Sequence, residues 1–267
     1  MSKKNEMACT EAELLAMTRD MDDMHRATFP QMQEMLSDFG SSLRGKASRR
    51  SFLAGSGVVL GGVALAACGG SDDADTDTDV GSGSSSASAD ASADAGGGDA
   101  AADRAGLATN ASLENLAVFA YDSALKAAPS GKFGPVPPAV AVFAKTAMGQ
   151  HAEHAKAFNA ALVNAGGKEF TEPDPALAGP VTEMFTALKD LPGLAKLALL
   201  LEQTATQTYT KQMGEFKSKE ALALVATIAP VEHQHAATLL YVIGEYPVPD
   251  TFVKTDLARP SSDAGVS

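Results

Sequence analysis

Two cysteines, Cys9 and Cys68, in 267 residues leave no basis for a disulfide framework. Basic side chains are also short: 21 Lys and Arg stand against 33 Asp and Glu, a net charge of −12. No basic cluster lies outside the first fifty residues, so the phosphate neutralisation behind nucleic-acid binding is lacking and no nucleic-acid partner is expected. The apolar run from Phe52 to Ala67 falls short of the ~20 residues a helix needs to cross a bilayer, which excludes a multi-span membrane protein. Nor does any segment alternate with period two over a useful length, so strands are not expected.

The charge that is present is unevenly placed. Residues 1–67 carry 8 basic and 8 acidic groups, residues 69–103 nine Asp and no Lys or Arg, and residues 104–267 13 basic and 16 acidic groups. Acidity therefore belongs to one low-complexity segment, and the rest is nearly balanced. Residues 68–103 consist almost wholly of Gly, Ser, Ala and Asp. With so little to bury they cannot offset the entropy of ordering, and they read as a disordered tether.

Upstream, Ser48-Arg49-Arg50-Ser51-Phe52-Leu53 leads into a run that contains Gly55, Gly57, Gly61 and Gly62. A basic pair, a moderately apolar stretch and a small-residue exit describe an export signal better than a permanent span. The residues resemble a twin-arginine signal, with Arg49 and Arg50 read by the translocase. Leu65-Ala66-Ala67-Cys68-Gly69 resembles a bacterial lipobox. That resemblance implies cleavage before Cys68, a lipid on its thiol, and a chain anchored to the cell-envelope membrane, facing the periplasm or cell exterior. Ordinary cleavage after Ala-x-Ala, with Cys68 incidental, is the alternative. On either reading residues 1–67 are an N-terminal extension plus signal. The part before the signal, 1–47, is long for this role and shows a Met-rich helical pattern at Met17, Met21, Met24, Met32, Met35 and Phe39. Two readings stay open: an extension recognised before export, or translation from Met35. His25, alone in this stretch, reads as idle.

From Asp103 onward the texture becomes Ala- and Leu-rich with helical periodicity. Long helices are expected at 104–128, 137–165, 193–217 and 218–245, with a short one near 180–190. Pro135, Pro137 and Pro138 precede the second, Gly166-Gly167 ends it, Pro192-Gly193 opens the third, and Pro247 and Pro249 stop the fourth. Four long helices predict an all-α four-helix bundle over 104–246, followed by a tail at 247–267 that loosens past Pro260.

Polar residues interrupt the apolar stripes of these helices at matching levels. The second helix reads Phe143, Ala147, His151, His154, Phe158, Leu162, and the fourth Val225, Ile228, Glu232, His235, Leu239, Val242. On the first, Leu107, Glu114, Tyr121 and Leu125 share a face; on the third, Ala195, Leu199, Glu202, Tyr209 and Phe216 do. The halves repeat each other, since Leu113-Glu114-Asn115 with Tyr121 matches Leu201-Glu202-Gln203 with Tyr209. Two like hairpins around a pseudo-twofold axis would gather the six polar groups at mid-bundle, with the tyrosines bonding the carboxylates. Three buried carboxylates repel unless a cation intervenes, and the stripes carry no Lys or Arg at that level. Metal is the economical compensation. His233 and Glu153 fall off the seam and read as solvated.

Glu from two helices and Glu-x-x-His from the other two is a di-metal carboxylate pattern. At Glu114, Glu202, Glu232 and His235 the chain resembles the ferritin-like domain family, specifically exported members with a twin-arginine signal. The resemblance implies a ferritin-like bundle of two repeated hairpins and a transition metal (iron, manganese or zinc). One departure stands out: His151-x-x-His154 occupies the place of Glu-x-x-His. The candidate shell becomes Glu114, His151, His154, Glu202, Glu232 and His235, and two divalent ions would bring +4 against −3. The extra nitrogen ligation favours zinc, copper or a single ion over a di-iron pair. Two functions are therefore in view: a tethered metal-binding protein, or a metal-free envelope lipoprotein whose bundle is a scaffold for an unidentified protein partner. No residue is assigned a catalytic role.

Overall fold

Thr10 opens the first helix through a reciprocal cap. Its hydroxyl accepts from the Glu13 N–H at 3.2 Å, and the Glu13 carboxylate accepts from the Thr10 N–H at 2.8 Å. A computed structural model describes residues 7–44 and 93–261. Arg49, Arg50, Cys68 and most of the proposed tether lie outside the described residues. The helices are α1 (Glu11–Arg44), α2 (Ala93–Ala127), α3 (Pro138–Asn164), α4 (Ala178–Ala187), α5 (Leu191–Gln212) and α6 (Lys219–Val242), and no strand occurs among the described residues. None of the helices is long and apolar enough to cross a membrane.

The four expected long helices are α2, α3, α5 and α6, and the short one is α4. Proline opens α3, where its missing N–H costs nothing. The Asp190 carboxylate caps α5 by accepting the Gly193 N–H at 2.8 Å, and the Ser218 hydroxyl caps α6 by accepting that of Ala221 at 3.1 Å. Helices α2 and α3 pair as one hairpin, α5 and α6 as the other. Asp103 ties the two together: its carboxylate accepts the N–H groups of Lys217 at 2.8 Å and Ser218 at 2.6 Å.

One expectation is corrected. Helix α2 starts at Ala93 rather than 104, so residues 93–103 are helical and not a disordered tether. This stretch is Ala-rich, and extending an existing helix needs no new nucleus. The N-terminal extension, read as helical from its sequence, is docked. Helix α1 lies along α3 and α6 and buries Leu14, Thr18, Met21, His25, Phe29 and Met32, while the Ala8 N–H donates to the Val242 carbonyl at 2.9 Å. Of the expected Met-rich pattern Met21 and Met32 are buried in this stripe, Met17 is half-buried and Met24 faces outward. The tail is pinned up to Ser261. The N–H groups of Leu257 and Arg259 donate to Gln207 Oε1 at 2.8 Å and Thr208 Oγ1 at 2.9 Å, and the Arg259 guanidinium reaches Asp174 at 3.4 Å. Residues 262–267, where loosening was expected, lie outside the described residues.

Candidate metal centre

Each bundle helix delivers its polar residues at mid-length: Glu114 from α2, His151 and His154 from α3, Glu202 from α5, Glu232 and His235 from α6. All six are buried, none more than 1% exposed. They form two overlapping groups, Glu114–His151–His154–Glu232 and His151–Glu202–Glu232–His235, with one ligand atom per residue lying within 4.8 Å of the others in its group. All six candidate ligands are thus gathered in one place. His233 and Glu153 are exposed, as their off-seam positions imply.

The contacts follow the pseudo-twofold relation. The Tyr121 hydroxyl of α2 donates to Glu202 Oε1 of α5 at 2.5 Å, and the Tyr209 hydroxyl of α5 donates to Glu114 Oε1 of α2 at 2.5 Å. Each tyrosine therefore serves the carboxylate of the other hairpin and clamps the halves together. His151 sits between them, Nδ1 at 2.7 Å from Glu114 Oε2 and Nε2 at 3.2 Å from Glu202 Oε1. Nδ1 of His154 is 2.8 Å from Glu232 Oε1.

Two residues missed in the sequence complete the surround. Gln150 Oε1 lies 2.8 Å from Nε2 of His235, and His25 Nε2 lies 3.1 Å from Nε2 of His154. Far from idle, His25 is 4% exposed and stacks on Phe29 with ring centroids 4.7 Å apart. Its signal was available. Met21, His25, Phe29 and Met32 are spaced by four, four and three, the same rule that exposed His151 and His154. Gln150 gave no signal, because it borders the α3 stripe and a buried amide is not distinguished by spacing.

Among the six candidate ligands three buried atoms have no hydrogen bond: Glu202 Oε2, Glu232 Oε2 and His235 Nδ1. They face one another, the His235 nitrogen lying 3.4 Å from Glu202 Oε2 and 3.5 Å from Glu232 Oε2. Elsewhere protonation organises the cluster. Burial alone would raise the Glu114 carboxyl, but positively charged His154 and hydrogen bonds from His151 and His154 bring it down to about 2. Burial opposes charge on His154 too, yet Glu114 and Glu232 lift it to about 9. The imidazole of His151 is held well above its usual range against burial by Glu232, Glu202 and Glu114; the Glu202 carboxyl is held well below by His151 and His235. Burial and the adjacent carboxylates push both tyrosines far above their ordinary range, so they stay donors.

An all-α bundle of two like hairpins, with Glu and Glu/His-bearing helices turned inward, is the architecture of a ferritin-like domain. The ferritin-like domain family model matches residues 102–245, more than half of the chain, and the protein belongs to that family. No curated protein and no solved structure matches the chain.

Proposed function

We propose that this is an exported, lipid-anchored ferritin-like protein that holds a transition-metal ion in its bundle core. The observation that carries the metal reading is the convergence of Glu202 Oε2, Glu232 Oε2 and His235 Nδ1, three buried ligand-type atoms without a hydrogen bond. Unsatisfied buried polar atoms are costly, and two carboxylate oxygens with an imidazole nitrogen are a donor set that suits zinc, manganese or iron. Either group of four would hold the ion: Glu114, His151, His154 and Glu232, or His151, Glu202, Glu232 and His235, with His151 and Glu232 common to both. A neutral imidazole has one lone pair, so His151 can serve one of the two groups at a time. One ion per chain is the expected stoichiometry. Such an ion would supply a fixed positive charge and an electrophilic centre, and the tyrosine hydroxyls would orient Glu114 and Glu202 around it. The export and anchoring parts of the proposal rest on Arg49-Arg50 and the Leu-Ala-Ala-Cys68 motif.

A second reading has its own support. Three imidazoles held charged by three carboxylates neutralise the cluster without metal. The bundle would then be a scaffold. Elemental analysis of the purified chain and its melting with and without added zinc, manganese or iron separate the two. The metal reading expects about one bound ion, higher melting on loading, and loss of both in the Glu232→Gln/His235→Ala double variant, while His233→Ala behaves as wild type. Equal melting of the treated and untreated wild-type chain with no bound metal favours the scaffold.

A further inference from the structure

The two outer histidines of the centre, His154 and His235, are built alike. Each turns Nδ1 toward the carboxylates and Nε2 away from them. For His235 the outward nitrogen meets Gln150 Oε1, an atom that only accepts. With metal bound, His235 would keep its proton on Nε2 toward Gln150 and offer Nδ1 to the ion beside Glu202 and Glu232. His154 has no amide in that place. Its outward nitrogen meets His25 Nε2 at 3.1 Å, from a helix outside the four that make the bundle.

We infer that His25 of α1 is a positioning residue for the metal centre, holding His154 in the form that offers Nδ1 as a ligand. This rests on the metal reading above, with the ion in the Glu114–His151–His154–Glu232 group. Ligation through Nδ1 leaves the His154 proton on Nε2, so His25 accepts it with its own Nε2 lone pair. The His25 proton then sits on Nδ1, which lies 3.7 Å from the Glu153 carboxylate at the surface. Stacking on Phe29 fixes the His25 ring plane. The chain Glu153, His25, His154 thus orients one imidazole from outside, and outer partners of this kind set ligand geometry and basicity. Removing one loses about 10- to 100-fold in metal affinity.

The test uses the full chain and cobalt(II), which reports affinity by competition with a chelator and ligand geometry by its visible absorption. His25→Leu keeps a buried apolar side chain and removes the acceptor. In His25→Gln, Oε1 stands the same number of bonds from the backbone as the lost Nε2. His25→Leu should bind cobalt about 10- to 100-fold more weakly with an altered spectrum, while His25→Gln recovers most of the affinity and the wild-type spectrum. Helicity and melting of the metal-free variants report folding separately. Wild-type affinity and spectrum in His25→Leu overturn the inference, and so does a His25→Gln chain as weak as His25→Leu, which would make the loss one of packing. Wild-type chain that takes up no cobalt instead overturns the metal reading itself, and this inference with it.

Discussion

At the scale of single residues, His151 separates this centre from the pattern it otherwise follows. Both ring nitrogens point at carboxylates, 2.7 Å from Glu114 and 3.2 Å from Glu202, so its imidazolium occupies the middle of the cluster as an internal cation. His151→Glu restores Glu-x-x-His on α3 and brings four carboxylates to the site. Two divalent ions then balance exactly the charge they meet, and bound metal should rise from about one ion to two per chain by elemental analysis. The same variant without metal should melt lower than wild type, because a fourth buried carboxylate replaces a cation. Stability against pH follows from the same groups. His154 rises from 6.5 to about 9, so its contribution is full below 6.5 and is lost as pH climbs toward 9. Glu114 falls from 4.5 to about 2, so its contribution is full above 4.5 and is lost as pH drops toward 2. Burial lowers His25 from 6.5 to about 4, so its contribution is full above 6.5 and is lost as pH drops toward 4. The metal-free chain should therefore be most stable in a narrow window around 6.5. Metal works the other way, since an imidazole must shed its proton to become a ligand. Melting curves of chelated and loaded protein should show a larger metal increment near pH 9 than inside that window; an increment that shrinks with pH would refute the ligand role of the imidazoles.

Among the elements, legibility in the sequence tracked how strongly each segment punctuates itself. Helices α3, α5 and α6 are bounded by Pro137-Pro138, Pro192-Gly193 and Pro247, and their expected limits lie within a few residues of those observed. The start of α2 has no such mark. Its first turns are Ala, Gly and Asp, and what holds the chain there is a tertiary bond from Asp103 to the α6 entrance that no local pattern encodes. Six site residues were readable because each breaks an apolar stripe at helical spacing, a signal that survives without structure. The tyrosine–carboxylate partners were readable as types but not as pairs. Only the fold shows that Tyr121 reaches across to Glu202 and Tyr209 to Glu114. Helix α1 was legible as a helix, but His25 was misread as idle: its buried stripe is Leu14, Met21, His25, Phe29 and Met32, and only the methionines marked it in the sequence.

On the scale of the whole molecule, the docked helix and the export motif pull against each other. Arg49 and Arg50 follow α1, and Cys68 follows both, so the proposed cleavage before Cys68 would divide the chain between α1 and the bundle it covers. The uncut precursor would carry His25 against His154, and an anchored product would begin at Cys68 without it. Arg49→Lys/Arg50→Lys should leave the full-length chain in the cytoplasm, because paired guanidinium groups are not reproduced by ammonium groups. Wild-type chain should collect in the membrane fraction with its N-terminus at acylated Cys68, and Cys68→Ala should release it, since the acyl chains supply the strong apolar anchor. Mass spectrometry of the two fractions reads both outcomes. Export of the double-lysine variant at the wild-type level would sink the twin-arginine assignment, and wild-type chain found soluble would sink the anchor. The retained precursor and the released bundle then give a comparison that no substitution provides. If α1 leaves with the signal, the bundle should share the cobalt affinity and spectrum of His25→Leu, and amide exchange should quicken on the α3 and α6 faces where Leu14, Met21 and Phe29 had packed. Should the bundle instead match the precursor in both respects, α1 has stayed bound after the cut, held by the same buried stripe.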